Sequence, residues 1–265
     1  MDLHLKGKVV AVTGGAAGIG RAAAEEFLKE GALLAVCGRT EARLEAFAAE
    51  MKEQGFPEVY TMQADVSSAE QMNAFAAGIR KRFGRIDVWV NNAGIAINKF
   101  FLDYTEEEWD RIQSINLKGV WNGCRAAAPY MQEQESGVII NISSFAAKIP
   151  LADGPIYAAS KAGVSSLTKT LAADLAPWGI RVMGVIPGMI RTAISEENIR
   201  VNEEKFVQAI SMKRLGLPED LAKPVVFIAS DAAAYMSGFD IEITGGKFAA
   251  QNTDWPWQVK KEREV

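Results

Sequence analysis

Short segments of strand length, the first of them the unbroken apolar run Val9 to Val12, alternate along this chain with longer amphipathic stretches. Val9 to Val12, Leu33 to Cys37, Val59 to Met62, Val88 to Val90, Val138 to Ile142, Ile180 to Ile186 and Asp240 to Ile243 have the length of strands. Runs that are apolar at successive positions belong to strands covered on both faces. Between them lie helical patterns: Arg21 to Glu30, Thr40 to about Gln54, Ser67 to about Phe83, Thr105 to about Gln132, Ile156 to about Ala176, and one opened by Pro218. Thr40 stands where a helix cap belongs. Ser67-Ser68-Ala69-Glu70 and Thr105-Glu106-Glu107-Glu108 read as capping boxes, and Pro218 precedes Glu219 and Asp220 at a first helical turn. Strand, helix, strand repeated in this way predicts an α/β fold. We expect a Rossmann-type, doubly wound parallel sheet of about seven strands with helices on both faces, in one domain over residues 1–265.

Composition narrows the chemistry more than the fold. The chain is 49% hydrophobic and 23% charged, with a net charge of -4, which offers no basic footprint for nucleic acid. No run of apolar residues is long enough to span a membrane, and the N-terminus lacks the pattern of a leader, so a cytoplasmic protein is expected. Cys37 and Cys124 fall in a strand and a helix and read as buried free thiols. The single histidine, His4, lies in the N-terminal lead, which leaves no partner for a Ser-His-Asp hydrolase and no multi-histidine metal site. A Walker A loop is absent too, because Gly20 is followed by Arg21-Ala22.

In doubly wound sheets ligands sit beyond the carboxyl ends of the strands. Here those ends carry Thr13-Gly14, Gly38-Arg39, Asp65, Asn91-Asn92, Ser143-Ser144 and Pro187-Gly188. Glycines at 14, 18 and 20 allow a tight turn and close approach of an anion to the helix N-terminus that follows. Tyr157 and Lys161, four positions apart, share one helical face. An ammonium beside a phenol favours the phenolate, so Lys161 is expected to lower the Tyr157 pKa and make it a proton donor and acceptor.

With these motifs in order, the sequence resembles the short-chain dehydrogenase/reductase family from about Lys6 to Phe248. The motifs are T-G-x-x-x-G-I-G at Thr13 to Gly20, Asp65-Val66, N-N-A-G at Asn91 to Gly94, Ile115-Asn116, N-I-S-S at Asn141 to Ser144, Tyr157 with Lys161, and Pro187-Gly188. The resemblance implies Tyr157 as general acid or base and Lys161 as the residue that tunes it and holds the nicotinamide ribose. It implies Ser144, thirteen residues before Tyr157, as the hydrogen bond to the reacting oxygen, and Asn116 as support for a water in a proton relay. It further implies a pyrophosphate loop of Gly14, Gly18, Ile19 and Gly20, and an adenine contact at Asp65 and Val66. Asn91 and Gly94 would line the adenosine side, and Ile190 and Thr192 would clamp the carboxamide.

The second strand bears on cofactor choice. An NAD enzyme of this kind usually ends that strand in an acid, whereas here Gly38 is followed by Arg39 and Thr40. An arginine suits a 2′-phosphate, so NADP(H) is favoured, with NAD(H) as the alternative. The expected activity is hydride transfer between NADP(H) and a secondary alcohol or ketone. The alternatives are an NAD(H)-dependent sugar, polyol or hydroxysteroid-type dehydrogenase and a cofactor-binding regulator without chemistry. Ile95, Phe145 and Met189 are expected in the substrate wall, with a variable loop over about 189–214 and Lys99 and Lys148 as candidate contacts for an anionic group. The tail of about 249–265, with Trp255-Pro256-Trp257, departs from the family's ending and reads either as a frayed end or as a segment packed on a neighbouring subunit. By resemblance a homotetramer is expected, with a dimer as the alternative.

Overall fold

The computed structural model describes residues 2–247, 249, 250 and 252–263; Phe248, where the resemblance ends, lies outside them. Its elements run β1 (Val9–Thr13), α1 (Gly18–Lys29), β2 (Leu33–Gly38), α2 (Glu41–Glu53), β3 (Tyr60–Gln63), α3 (Ala69–Phe83) and β4 (Val88–Asn91). They continue with α4 (Glu106–Gln113), α5 (Gly119–Glu133), β5 (Gly137–Ile142), α6 (Pro155–Leu175) and β6 (Ile180–Pro187). The chain closes with α7 (Glu196–Gln208), α8 (Pro218–Ala229), β7 (Asp240–Ile243) and α9 (Trp255–Arg263). All seven strands pair in parallel in the order β3-β2-β1-β4-β5-β6-β7.

The two-residue period of the strands divides the interior. Val10 and Val12 of β1, Val88 and Val90 of β4, and Val138 and Ile140 of β5 face α1, α2 and α8, where Phe27, Phe47 and Val225 meet them. Val9, Ala11, Trp89 and Ile139 face the other way, against Phe75, Cys124 and Val164 of α3, α5 and α6. The central strands therefore carry apolar residues at consecutive positions, whereas the edge strands β3 and β7 are only partly buried. Cys37 and Cys124 are both buried and unpaired, and burial pushes each thiol up to about 12.

Several local readings are corrected. The α3 cap is Ser68, not Ser67: its hydroxyl accepts from the Gln71 amide, while the Gln71 side chain accepts from the Asp65 amide instead of closing a box. Thr40 occupies the cap position of α2, but its hydroxyl makes no cap bond. The capping box of Thr105 and Glu108 is present, yet the helix it opens is interrupted by a π-turn at Ser114–Lys118, so α4 and α5 are distinct segments. Such turns widen the helix locally and often mark functional sites. Here the turn carries Asn116.

Helices α7 and α9 had no readable signal. α7 buries only Ile199 and kinks at Asn202, and α9 buries nothing, so neither shows an apolar stripe. The described part of the tail packs on its own chain. Trp257 Nε1 donates to Ser211 O at 2.9 Å, the Thr253 hydroxyl donates to Gln208 O at 3.1 Å, and Lys213 pairs with Asp254.

Close packing under the sheet makes one glycine a stability test. A Cβ at Gly123 of α5 would lie 2.0 Å from Asn91 Oδ1 and 2.7 Å from Trp89 Nε1, two atoms joined by a buried hydrogen bond. Gly123→Ala is therefore expected to cost about 3 kcal/mol and lower the melting temperature by about 10 °C. An unchanged melting curve would show that the packing yields.

Candidate active site

A cavity lies across the carboxyl ends of the strands, at the point between β1 and β4 where the strand order reverses. One end is built on the turn after β1. Gly14 and Gly18 adopt left-handed φ of +65° and +52°. A Cβ at Gly20 would come within 2.5 Å of Gly14 O and 2.3 Å of Asn92 Nδ2, so only glycine lets α1 start this close to the strand. Gly14, Gly18 and Ile19 line the cavity, whereas Gly20 supports the turn from behind. The α1 cap position, Ala17, has no side chain to occupy the helix's first N–H groups. Those groups are the donors an anion would use.

The ends of β1 and β4 are tied together. The Thr13 hydroxyl accepts from the amides of Asn92 (3.0 Å) and Ala93 (3.1 Å), and Asn92 Nδ2 donates to Thr13 O at 3.0 Å. Asn92 lines the cavity; Asn91, expected there, does not. The Asn91 carboxamide turns inward, donating to Asn141 Oδ1 at 2.9 Å and accepting from Trp89 Nε1 at 2.8 Å. The strand's alternation forces this, since adjacent residues point to opposite faces. Gly94, Asp65 and Val66 line the wall, and Asp65 accepts from the amide and hydroxyl of Ser67 at 2.9 and 2.7 Å.

Beyond β2 the wall takes Gly38, Arg39, Thr40 and also Arg43, which sequence reasoning missed. A signal for Arg43 existed: it sits in the first turn of α2, where the helix dipole disfavours a cation. Across the cavity Pro187, Gly188, Ile190 and Thr192 line the opposite wall. Thr192 Cγ2 stands 3.5 Å from where a Gly18 Cβ would lie, so these walls meet over the glycine turn. Ser195, also missed, holds that segment by donating to Ile190 O at 2.6 Å and accepting from Thr192 N at 3.0 Å.

The centre holds Ser144, Tyr157 and Lys161. Ser144 Oγ accepts from the Ala146 amide at 3.1 Å, which leaves its own proton to donate. Ser143 is committed elsewhere, donating to Lys161 O at 2.9 Å and bonding Ser165 Oγ at 3.1 Å. Lys161 is almost fully buried; its Nζ donates to Ile142 O at 2.8 Å and lies 5.9 Å from the Tyr157 ring centre. Asn116 lies under the cavity rather than in its wall. Its Oδ1 accepts from Ile95 N and its Nδ2 donates to Ile95 O, both at 2.9 Å, and Nδ2 also donates to Ser160 Oγ at 3.1 Å. The carboxamide is thus spent on holding the backbone of Ile95.

The electrostatics depart from the expected direction. Burial raises the Tyr157 pKa, with the Ser144 hydroxyl moderating the rise. Burial also lowers Lys161 to about 8, because no acid accompanies its ammonium into the site. Proximity predicted a lowered tyrosine, but with Lys161 Nζ 5.9 Å from the ring centre and bonded to Ile142 O, desolvation and the Ser144 hydroxyl set the shift instead. The Lys161 value carries a stability prediction. The folded pKa of about 8 lies below the ordinary 10.5, so the cost of burying the charge is full below pH 8 and gone above 10.5. Wild type should gain about 3 kcal/mol relative to Lys161→Met between those limits, read from urea unfolding at each pH. A constant difference would show that Lys161 is solvated.

The remaining wall is uncharged. Ile95, Ala96, Phe145, Leu151, Met189 and Ile194 line it, with Asn98 and Asn198 as its amides. Lys99 and Lys148, considered as contacts for an anionic group, lie outside the cavity and pair with Glu108 and Glu242. Among the described residues no cluster of His, Cys, Asp and Glu could hold a metal ion, and no helix is long and apolar enough to cross a membrane.

Residues 8–203 match the family model described as short chain dehydrogenase. The chain is 38% identical over 245 residues to the 3-oxoacyl-acyl-carrier-protein reductase FabG of Thermotoga maritima, covering 92% of this chain and 99% of that protein. It is 39% identical to 3beta-hydroxysteroid dehydrogenase 1 of Eggerthella lenta over 91% of this chain and 94% of that one. Among solved structures, levodione reductase superposes with a TM-score of 0.89 at 36% identity, covering 93% of this chain and all of the other. The sheet order, the glycine turn and these likenesses agree: the chain belongs to the short-chain dehydrogenase family of NAD(P)-dependent oxidoreductases, which act on CH–OH and C=O groups.

Proposed function

We propose that this protein interconverts uncharged, largely apolar ketones and their secondary alcohols with NADP(H). The observation that carries the reading is the juxtaposition of Ser144, Tyr157 and Lys161 with a neighbouring wall of Ile95, Ala96, Phe145, Leu151, Met189 and Ile194 that carries no charge. The glycine turn fits a pyrophosphate, since Gly14, Gly18 and Gly20 leave room where a Cβ would intrude or strain the backbone. NADP(H), when bound, supplies or accepts the hydride. The protein's own residues handle the proton and the orientation.

The phenol of Tyr157, protonated at neutral pH as an ordinary tyrosine is, gives its proton to the carbonyl oxygen, and Ser144 Oγ donates a second hydrogen bond to the same atom. In the reverse direction the phenolate takes the proton from the alcohol. Lys161 stabilises that phenolate while charged. Asn116 acts as a positioning residue by fixing Ile95 in the wall. Arg39 and Arg43 at the adenosine end, with no acid at Gly38, favour NADP(H) over NAD(H).

The relatives named for levodione and for 3beta-hydroxysteroids support an uncharged substrate. The apolar groove of Leu117, Trp121 and Leu167 between α5 and α6 supports pairing of subunits into a dimer or homotetramer. Buried free thiols at Cys37 and Cys124 fit a cytoplasmic location. Incubation with NADPH or NADH and a panel of neutral ketones, keto acids and alcohols tests the reading. Turnover of neutral ketones with NADPH is the expected result; turnover of keto acids alone, or of nothing in the panel, overturns it.

A further inference from the structure

Lys247 belongs to no motif, yet it is only 6% exposed. The turn after β7 puts it there. Gly245 and Gly246 take left-handed φ of +63° and +77°, and a Cβ at Gly246 would lie 2.9 Å from the Ser211 side chain. That close approach is locked by Met212 N donating to Gly245 O at 3.1 Å and the Ser211 hydroxyl donating to Gly246 O at 3.0 Å. The turn thus delivers Lys247 against the end of the 189–214 segment, which forms the outer wall of the cavity.

The ammonium lies between two aromatic rings. Its Nζ is 4.5 Å from the centre of Phe145 and 5.0 Å from the centre of Phe206. Phe145 follows Ser144 and lines the cavity; Phe206 belongs to α7. Both rings pack on a small apolar cluster of Met189, Ile199, Ile210 and Leu215, separate from the two cores of the sheet. A cluster this small adds little cooperative stability of its own. Contacts at its edge therefore weigh heavily. A buried cation over a ring face is attracted by the ring's quadrupole, more strongly where water is excluded. Although burial brings Lys247 down to about 8, it remains charged at neutral pH.

We propose that Lys247 is a positioning residue that clamps α7 to the Ser144-Phe145 loop through the rings of Phe206 and Phe145, and so sets how tightly the substrate end of the cavity is closed. The inference rests on reading that cavity as the active site. It predicts an effect on substrate binding that spares the cofactor end and the proton transfer.

Lys247→Met keeps the stem and removes the charge, and Lys247→Arg keeps the charge. In the Met variant, KM for a neutral ketone is expected to rise five- to tenfold, with kcat and the NADPH Kd within twofold of wild type. The Arg variant should restore KM to within twofold. Hydrogen exchange of the ligand-free proteins supplies a readout independent of activity. Amides over 196–214 should exchange about tenfold faster in the Met variant, and at the wild-type rate in the Arg variant. Should the Met variant fail to fold, Phe206→Leu removes one ring and is expected to accelerate the same amides. Unchanged exchange in that segment, faster exchange over the whole chain, or a loss that Arg fails to rescue each overturns the clamp. If wild type turns over nothing in the ketone panel, the proposed function falls, while the exchange result still decides the clamp.

Discussion

Tyr157→Phe is expected to lower kcat about 1,000-fold while leaving the NADPH Kd within about twofold. The substitution removes one oxygen and keeps the ring. Packing around α6 is therefore preserved, and Lys161 still donates to Ile142 O. What disappears is the one phenol that lines the cavity among the described residues, and with it the proton it donates. Ser144 cannot substitute, since an ordinary hydroxyl is far too weak an acid to protonate an alkoxide as it forms. Stopped-flow or steady-state measurement of ketone reduction decides the matter. More than a few per cent of wild-type turnover would remove Tyr157 from the chemistry.

Cofactor discrimination should respond almost as strongly. Arg39 and Arg43 both line the cavity beyond β2, and each guanidinium can hold a phosphate oxygen by a charge-assisted hydrogen bond worth about 1.5 to 3 kcal/mol. The double variant Arg39→Ala/Arg43→Ala is therefore expected to lose about 100-fold or more in kcat/KM for NADPH. Activity with NADH, which lacks the 2′-phosphate, should stay within about threefold. The single Arg39→Ala variant should show part of the same split. Equal losses with both cofactors would mean that the arginines support the loop rather than read the phosphate.

The central strands were legible because a sheet covered on both faces favours long apolar runs, such as Val9 to Val12, Val88 to Val90 and Val138 to Ile140. Helix ends were less so. Ser67 and Ser68 carry the same capping chemistry; Ser68 is the cap because its hydroxyl accepts from the Gln71 amide while the Ser67 hydroxyl donates to Asp65. The π-turn at Ser114–Lys118 was not read from the sequence, and Asn116 within it bonds to Ile95, 21 residues away. Within the site, spacing put Tyr157 and Lys161 on one helical face and the family resemblance singled out Ser144; all three line the cavity. The direction of the tyrosine's pKa was not readable, since it depends on how much water the folded walls exclude. Asn91 and Asn92 illustrate the same limit. Two identical side chains stand side by side, and the pleat alone sends one to the cavity and the other to the core.

The reversal of strand order between β1 and β4 has a consequence for how long the molecule survives. Strands β1 to β3 and β4 to β7 form two halves that meet along Val10 opposite Val88, with Thr13 and Asn92 fastening the end of the seam. The cavity straddles that seam, with Gly14 and Arg39 on one side and Gly94 and Lys161 on the other. A dinucleotide lying across it binds only when the halves are joined, so its binding free energy adds to folding, by about 2.7 kcal/mol at a hundred times its Kd. Resistance to unfolding, and with it to cleavage of the unfolded chain, should then rise with the concentration of dinucleotide.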